Sequence, residues 1–526
     1  MGPVDDARAA LAVRFRPLSV GCAPTVQRFA RLAGVVLLMV IASAHLGSPD
    51  TWFQGSAGPY PVRVVVRLPG VVPGLAQIDI TVTGEAVQQV TAQPVVFDAG
   101  KEGAPPADVA QPVPGRPGLY HAELWFMQSG SFSVNVEVKG GQGSGMVVVP
   151  VAALAERQIP LYPWLGKLLL VLGALLFVGA VTIVRAAVSD GVTPPGVLPS
   201  AAHRRAGVVY SVFGAGVIGL GLFGARGWWQ SVEREYTSEL YQPFTASATV
   251  DTSGGARVLR FAITDSVWQT RRPRVSWERF TVSPLVPDHG KLMHLFLMRQ
   301  GDPSAFAHLH PVSQDSMTFT SPLGALPPGR YRAYADVVHE TGMPQTMVAD
   351  VDVPAAAGNT VPWTDTDDAV FVGAPSGAAY TLPDGATVTW EAKPDTLVAQ
   401  QDAKLTFVVR EKDGSTARLA PYLGMPGHAV VYRTDGRVYI HLHPNGTTSM
   451  VAQQLLGSRR ATDTLAGMLA RRVAVDSTGM SHDAARTFDG TLTFPYAFPQ
   501  PGQYRVWVQL WRGTHPETAP FDVVVR

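Results

Sequence analysis

Six histidines lie in two short motifs that repeat along the chain. Each motif contains His-Leu-His-Pro, and one further histidine precedes it by a similar distance. In a β-strand, residues i and i+2 point to the same side, so each motif presents two imidazoles on one face and turns the intervening leucine to the other. Neutral imidazoles of this kind are ligands for Cu(II) and Zn(II). The candidate metal ligands are His294, His308, His310, His428, His441 and His443.

Strand pairing predicts that the third histidine of each motif joins the same face. In the later motif, Thr434-Asp435-Gly436-Arg437 is a two-residue hairpin signal, and its register places Val430 opposite His441 and His428 opposite His443. In the earlier motif, pairing His294 with His310 gives a comparable register. Directly paired side chains have Cβ atoms about 4.5–5.5 Å apart, so three imidazoles can converge on one ion. We therefore expect one three-histidine metal site in each copy.

The neighbouring residues favour copper over zinc as the bound ion. Met293, Met298 and Met425 lie beside the motifs, and thioether sulfur is a soft ligand that suits Cu(I). The single cysteine, Cys22, lies in the N-terminal segment, which excludes disulfides, blue-copper centres and Cys-type zinc sites elsewhere. Six further residues are available to complete or gate a site, although each is typical of an ordinary loop: His289, His339, Met343, Met480, His482 and His515.

Two other interpretations of the histidines remain open at this point. A His-x-His pair at a strand end also serves as a hydrogen-bonded structural network, and a duplicated structural motif repeats whether or not it binds an ion. Histidine clusters also act as pH-responsive or partner-binding surfaces. The sequence does not separate these alternatives.

The composition and hydropathy pattern predict a membrane protein. Of 526 residues, 46% are hydrophobic and only 16% are charged. The formal net charge of +1 gives no bulk attraction to nucleic acid. Arginines precede an apolar run from Leu32 to Ala44, which is typical of an export signal. Two longer apolar runs, Leu165 to Val184 and Ala206 to Ala225, are long enough to span a bilayer.

The loop between these two runs sets the predicted orientation. It carries Arg185, His203, Arg204 and Arg205, and the positive-inside rule places such a loop in the cytoplasm. Most of the chain would then lie outside the bacterial cytoplasmic membrane. We expect an envelope metalloprotein or a metal-transport protein as partner, and no nucleic acid.

Outside these runs, alternating apolar residues between Gly and Pro turns predict a mainly β fold with three Ig-like or cupredoxin-like β-sandwiches, a transmembrane helical hairpin and an N-terminal signal segment. Two of the sandwiches form an internal duplication. The second copy has an insertion of about 40 residues before its closing strand, in which Thr462 to Arg472 has helical composition. The expected divisions are a signal peptide or first helix 1–44, an extracytoplasmic sandwich 45–160, the helices 161–229, a first repeat 230–354, a linker 355–378 and a second repeat 379–526.

Four sequence stretches carry a resemblance to a known family. They are Pro-Asp-His-Gly-Lys-Leu-Met-His-Leu-Phe-Leu at 287–297, Phe-Ala-His-Leu-His-Pro at 306–311, Pro-Tyr-Leu-Gly-Met-Pro-Gly-His at 421–428 and His-Leu-His-Pro at 441–444. With them the chain resembles uncharacterised bacterial membrane-anchored envelope proteins that carry tandem YtkA-like, cupredoxin-like β domains. The resemblance implies copper handling or assistance in metalloenzyme assembly, and the missing cysteine ligand removes blue-copper electron transfer.

These observations predict a membrane-anchored extracytoplasmic protein that binds copper or zinc for handling, delivery or sensing. The alternative is a metal-free envelope interaction scaffold built from Ig-like domains. The sequence has no Gly-x-Ser-x-Gly, P-loop, His-Glu-x-x-His or dinucleotide motif, so we do not expect an enzyme.

Overall fold

The structure, a computed structural model, describes residues 45–46, 50–270, 284–356, 365–460, 462–463, 467–477 and 487–526. The described chain is mainly β, as predicted, and two long apolar helices interrupt it. The predicted export signal from Leu32 to Ala44 and Cys22 lie outside the described residues. A two-residue strand, His45–Leu46, precedes the first sandwich.

The N-terminal sandwich consists of two antiparallel sheets. Its alternating valines and isoleucines point inward from both sheets and form one apolar core, whereas the polar residues between them face outward. In spatial order, the first sheet contains Asp50–Ala57, Tyr60–Arg67, Gly74–Val82, Leu119–Phe126 and Gln111–Pro112. The second contains Gly143–Ala153, Gly130–Gly140, Val87–Val96 and Asp108–Val109, and a short 3-10 helix, Lys101–Gly103, lies between the last two strands along the chain.

The two apolar helices follow this sandwich directly. They are Pro163–Ser189 and Ala201–Ser238, and both are long and apolar enough to cross a membrane. Their most apolar windows are almost entirely unburied within the protein, which distinguishes them from core helices of a soluble domain. Gly207 packs against Ser189, so the two helices contact each other near the loop that joins them.

The first repeat pairs a three-stranded outer sheet with a larger inner sheet. The outer sheet contains Ala246–Asp251, Val258–Ile263 and Thr318–Pro322. The inner sheet contains Leu285–Val286, Gly329–His339, His294–Arg299, Ala305–Leu309 and Ala369–Val372, with Pro344–Val353 also paired to Gly329–His339. A short helix, Ser266–Thr270, follows the second outer strand.

The second repeat has the same plan. Its outer sheet contains Ala379–Thr381, Thr387–Trp390, Ala403–Arg410 and Thr491–Tyr496. Its inner sheet contains Val438–Leu442, His428–Arg433, Gly502–Arg512, His515–Val525 and Thr396–Leu397. A separate two-stranded ladder joins Arg418–Leu419 to Phe488–Asp489.

Both predicted registers are confirmed. Val430 lies opposite His441 in the second repeat, and Phe296 lies opposite His308 in the first, which is the register expected from pairing His294 with His310. The leucines between the paired histidines, Leu309 and Leu442, point into the cores of their own sandwiches. The opposite faces of these strands carry the histidines.

Each repeat closes with a long hairpin whose first strand carries a tyrosine anchored to the preceding turn. The Tyr331 hydroxyl donates to the carbonyl of Pro327 at 2.8 Å, and the Tyr504 hydroxyl donates to that of Gln500 at 2.7 Å. The same four-residue offset in both hairpins supports the predicted duplication, because it reproduces a local contact as well as a strand order.

The two repeats pack with their histidine-bearing inner sheets face to face. Phe306 of the first stacks on Trp507 of the second with ring centroids 4.7 Å apart, and Tyr334 stacks on Tyr439 at 4.3 Å. The Arg505 guanidinium also donates to the carbonyl of Pro303 at 2.6 Å across the interface. These strands are therefore buried on both faces. The apolar residues of the interface are Phe296, Met298, Phe306, Tyr334, Phe371, Val430, Tyr432, Tyr439 and Trp507.

Two connecting segments differ from the sequence prediction. The segment predicted as a linker, 355–378, contains the strand Ala369–Val372, which extends the inner sheet of the first repeat by pairing with Ala305–Leu309. In the insertion of the second repeat, the predicted helical stretch begins at Met468 rather than at residue 462 and ends at Ser477. A further helix, Met450–Ser458, was missed; the Ser449 hydroxyl caps it by accepting from the Ala452 amide.

Candidate metal centre

The face-to-face packing of the repeats brings seven histidines into one buried cluster. Six are the predicted candidates, and the seventh is His289. Strand geometry within one repeat predicts a separate site in each repeat, whereas the rings of both repeats touch: His294 and His441 lie 5.5 Å apart between ring centroids, and His308 and His441 lie 5.8 Å apart. We call these residues the histidine cluster: His289, His294, His308, His310, His428, His441 and His443.

Within the cluster, His294, His308 and His310 form the first donor group. One nitrogen from each lies within 4.8 Å of the others. Hydrogen bonds fix which nitrogen of each ring is available. The amide of Gln509 donates to Thr518, so its oxygen faces His308 and accepts from Nδ1 at 2.8 Å. That leaves Nε2 of His308 as a lone-pair donor.

The other two rings of this group are oriented by acceptors in the same manner. Nδ1 of His310 donates to Oδ1 of Asp368 at 3.0 Å, and Nε2 of His310 has no hydrogen-bond partner among the described residues. Nε2 of His294 lies 3.3 Å from the carbonyl of Asp288, and in the tautomer in which Nε2 donates to this carbonyl, Nδ1 carries the lone pair. A carboxylate or carbonyl behind each imidazole is the usual outer shell of a metal-bound histidine.

The contact between His294 and His308 is the most informative distance in the cluster. Nδ1 of His294 and Nε2 of His308 lie 3.2 Å apart, and both atoms carry lone pairs in the tautomer of His294 that donates to Asp288. In that tautomer the two nitrogens can bind one cation, whereas in the other tautomer Nδ1 of His294 donates to Nε2 of His308. Two nitrogens bound at about 2.0–2.1 Å to one tetrahedral ion lie about 3.3 Å apart. The geometry of this pair therefore matches two ligands of one ion.

A second donor group joins the two repeats. It contains His289, His428 and His443, whose donor nitrogens also lie within 4.8 Å of one another. Both ring nitrogens of His428 are buried without a hydrogen-bond partner in the described part of the chain. An unpaired buried polar group costs about 1–3 kcal/mol. A bound ion would offset this cost, and apolar surroundings would not.

The membership of this group differs from the expected set in one residue. His441 was expected with His428 and His443, and His289 takes its place as the third nitrogen donor. His289 reaches the group from a tight turn in which Asp288 and Lys291 exchange both backbone hydrogen bonds, at 2.9 and 3.0 Å. Both central residues have positive φ, 53° at His289 and 82° at Gly290, as a type I′ turn requires.

The second repeat has the same turn at the equivalent place, five residues before His428. Tyr422 and Met425 exchange both backbone hydrogen bonds there, and φ is 52° at Leu423 and 79° at Gly424. The position of His289 is thus occupied by Leu423 in the second repeat. In both repeats an X-Gly pair begins five residues before the histidine that precedes the His-Leu-His-Pro motif, His294 or His428. This shared pair was the sequence signal that could have identified His289.

His441 lies between the two donor groups. Its ring centroid is 4.5 Å from that of His443 and 5.3 Å from that of His428, in addition to the contacts with the first group. Nδ1 lies 3.7 Å from Oδ2 of Asp336, and Nε2 has no hydrogen-bond partner in the described chain. Asp336 in turn accepts from the hydroxyls of Tyr439 at 2.7 Å and Thr346 at 2.6 Å.

Burial keeps the imidazoles neutral at pH 7. It lowers the pKa of His289 and of His294 to about 4 and that of His443 to about 3, and the pKa values of the other four are also well below the ordinary value. The adjacent imidazoles add to this effect at most of the seven, because a charge on one disfavours a charge on the next. A neutral imidazole is the form that binds a metal ion.

Acidic residues flank His310 on one side of the cluster. Burial raises the pKa of Asp368 to about 7. Asp365 and Asp367 both contact the Lys291 ammonium, at 2.5 and 2.8 Å, so the charge of this lysine is compensated locally. His310, Asp365 and Asp368 also have donor atoms within 4.8 Å of one another. The sequence analysis did not identify Asp368, because it falls in the segment predicted as a linker.

The N-terminal sandwich supports the turn that carries His443. His443 and Gly446 exchange backbone hydrogen bonds at 2.8 Å, and the chain then pairs with the edge strand Asp50–Ala57. The Thr447 amide donates to the carbonyl of Trp52 at 2.9 Å, and the Trp52 amide donates to the Thr447 hydroxyl at 3.0 Å. Three sandwiches therefore hold the cluster in place.

His339, His515, Met293 and Met298 do not join the cluster. His339 is buried against Trp268 and contacts Gln345, and His515 is exposed at the last hairpin. Met293 points into the core of the first sandwich, and Met298 packs in the aromatic interface. Met293 therefore provides no support for the prediction that a thioether ligand favours copper. His482 and Met480 lie outside the described residues.

A family model matches the part of the chain that contains the cluster. It is described as a domain of unknown function (DUF8832), and it matches residues 269–355 and 380–526. These stretches contain all seven histidines of the cluster. No curated protein matches the sequence significantly.

Solved structures resemble the chain only weakly. Salmonella alpha-2-macroglobulin reacted with methylamine shares 10% identity with a TM-score of 0.19, covering 91% of this chain and 23% of that one. Dimeric latent PorU from Porphyromonas gingivalis shares 10% identity with a TM-score of 0.13, covering 91% and 34%. The chain thus spans 23% and 34% of the lengths of these two proteins. The ICAM-5 D1–D4 ectodomain fragment shares 8% identity with a TM-score of 0.15, covering 89% and 77%. TM-scores this low describe no shared overall arrangement.

Proposed function

We propose that this protein binds a transition-metal ion in the histidine cluster and acts in metal handling at a bacterial cytoplasmic membrane. The observation that carries the proposal is the convergence of one nitrogen each from His294, His308 and His310, with Nδ1 of His294 and Nε2 of His308 3.2 Å apart. A structural hydrogen-bond network would give partners to the buried nitrogens of His310, His428 and His441, which have none among the described residues. A metal-free interaction scaffold would not require buried, unpaired imidazoles.

Copper is the favoured ion, and zinc is the alternative. The donors are imidazole nitrogens with carboxylates nearby and no thiolate, a set that both Cu(II) and Zn(II) accept. Among divalent first-row ions, Cu(II) binds a given nitrogen site most tightly. We propose a binding protein rather than an enzyme, which serves storage, delivery or sensing.

We further propose that the sandwiches lie on the extracytoplasmic side. The loop between the two apolar helices carries Arg185, Arg204 and Arg205, and an excess of arginine marks a cytoplasmic loop. Both ends of the helical hairpin then face outward, where an envelope metalloprotein or a metal transporter is a suitable partner.

The test is metal analysis of the full-length protein purified in detergent. After exposure to Cu(II) or Zn(II) and removal of excess ion, the wild type should retain stoichiometric metal. The double variant His308→Ala, His310→Ala should lose the ion of the first group, whereas His515→Ala, an exposed histidine outside the cluster, should retain it. A folded wild type that retains neither ion overturns the proposal.

A further inference from the structure

A cavity of about 220 Å³ lies against the histidine cluster. Three members of the cluster, His294, His441 and His443, form part of its wall. These three come from the first donor group, the intermediate position and the second donor group, respectively. The cavity therefore gives access to both groups.

The cavity is also lined by the segments that lead into and out of the two apolar helices. Leu154 and Glu156 precede the first helix, and Tyr241 and Pro243 follow the second. The Tyr241 amide donates to the carbonyl of Ala155 at 2.7 Å, which joins the two segments beside the cavity. The cavity thus extends from the histidines to the part of the fold nearest the helices.

The charges of the lining favour a cation. Among the described residues, four carboxylates and one ammonium group line the cavity, and the ammonium group, that of Lys291, is paired with Asp365 and Asp367. Threonine and serine hydroxyls add further oxygen ligands beside His443. A cleft lined with one sign of charge concentrates ions of the opposite sign and raises their association rates by about 10–10³. The four carboxylates are Asp50, Glu156, Asp288 and Asp336.

Asp336 and His441 connect this lining to the cluster. Asp336 lies on the cavity wall, 3.7 Å from Nδ1 of His441, and the His441 side chain is 8% exposed with Nε2 unpartnered in the described chain. His441 belongs to neither donor group, yet its ring contacts both. It is therefore placed to receive an ion from the carboxylates and to release it to imidazoles on either side.

We infer that the cavity is the entry route for the metal ion, with Asp336 and His441 as transient ligands between the membrane-facing segments and the two donor groups. The inference rests on the proposed function and adds a direction to it. The ion enters from the side of the helices, which suits transfer from a membrane-embedded partner.

The test measures loading rates and final occupancy separately. Full-length protein in detergent is mixed rapidly with Co²⁺, whose visible absorption reports tetrahedral coordination. Asp336→Asn keeps the side-chain shape and one oxygen that accepts from a hydroxyl, and it should slow loading by roughly tenfold with unchanged final occupancy. Ala152→Phe, which narrows the cavity from the N-terminal sandwich without removing a polar group, should also slow loading. Asp352→Asn, an exposed carboxylate elsewhere, is the matched control.

The outcomes separate this inference from the proposed function. A wild type that binds no ion overturns both. If Asp336→Asn and Ala152→Phe load as fast as the wild type and reach full occupancy, the entry route is overturned and the proposed metal site is retained. Reduced final occupancy in Asp336→Asn makes Asp336 a permanent part of the site and also overturns the route. Slower loading in Asp336→Asn, at a rate that no longer depends on ionic strength, supports the entry route.

Discussion

The imidazoles of His289 and His443 belong to different repeats, yet their ring centroids lie 5.5 Å apart. With His428 they form a donor group that neither repeat completes alone. An ion bound there would connect the two sandwiches directly, whereas the ion of the first group would be held within one sandwich. This difference leads to distinct expectations for the two groups.

We expect His289→Leu to remove one ion and leave the other. Leucine is tolerated at this turn position, because Leu423 occupies the equivalent site with nearly the same φ. Metal analysis after dialysis should give two ions per chain for the wild type and one for the variant. His515→Leu is the control for an exposed histidine. Two retained ions in His289→Leu would exclude His289 as a ligand.

The outer partner of His310 should tune affinity without changing stoichiometry. Asp368→Asn keeps an oxygen that accepts from Nδ1 of His310 but removes the negative charge behind the ring. Loss of such a partner typically weakens metal binding by about 10–100-fold. Competition with a chromogenic chelator measures this change, and Asp352→Asn serves as the control. An unchanged affinity would show that the carboxylate does not act on a bound ion.

Metal should stabilise the folded protein in proportion to its occupancy. An ion at about 100 times its dissociation constant adds about 2.7 kcal/mol to the free energy of unfolding. The thermal midpoint of the full-length protein should therefore rise on addition of Cu(II) or Zn(II). The rise should disappear in a variant that lacks ligands from both groups, His308→Ala with His428→Ala. A rise that persists in this variant would place the stabilising ion elsewhere.

The aromatic contacts between the repeats should contribute strongly to stability. Trp507 is fully buried and stacks on Phe306, so Trp507→Ala should lower the free energy of unfolding by about 3–5 kcal/mol. Denaturant titration followed by near-ultraviolet circular dichroism measures the effect. Trp125→Ala, at a side chain that is 59% exposed, should change it by less than about 0.5 kcal/mol. Equal effects of the two variants would contradict the packing described above.

Local patterns predicted the strands, the registers and the faces of the histidines, because period-two alternation and hairpin turns act over short distances. The pairing of Val430 with His441 follows from such a pattern. The packing of the two repeats was not predicted, although the apolar residues between His294 and Met298 indicated it. Phe296 and Met298 make the histidine face apolar as well, and strands that are apolar on both faces are buried on both.

Some members of the cluster were predicted and others were not, because only short-range patterns are visible in the sequence. Six histidines, two in each His-Leu-His motif and one that precedes each motif, could be predicted from strand geometry within one repeat. His289 depends on a turn that reaches across to the other repeat, and Asp368 depends on a segment that joins the inner sheet only in the folded chain. Contacts between distant segments leave no period in the sequence.

The two matching I′ turns, one with His289 and the other with Leu423, make the halves of this duplication unequal. A chain built from two copies of the first repeat would have an imidazole at both turns. A chain built from two copies of the second repeat would have an imidazole at neither. Neither repeat can therefore replace the other at this turn, because only the first supplies the nitrogen that completes a donor group with His428 and His443.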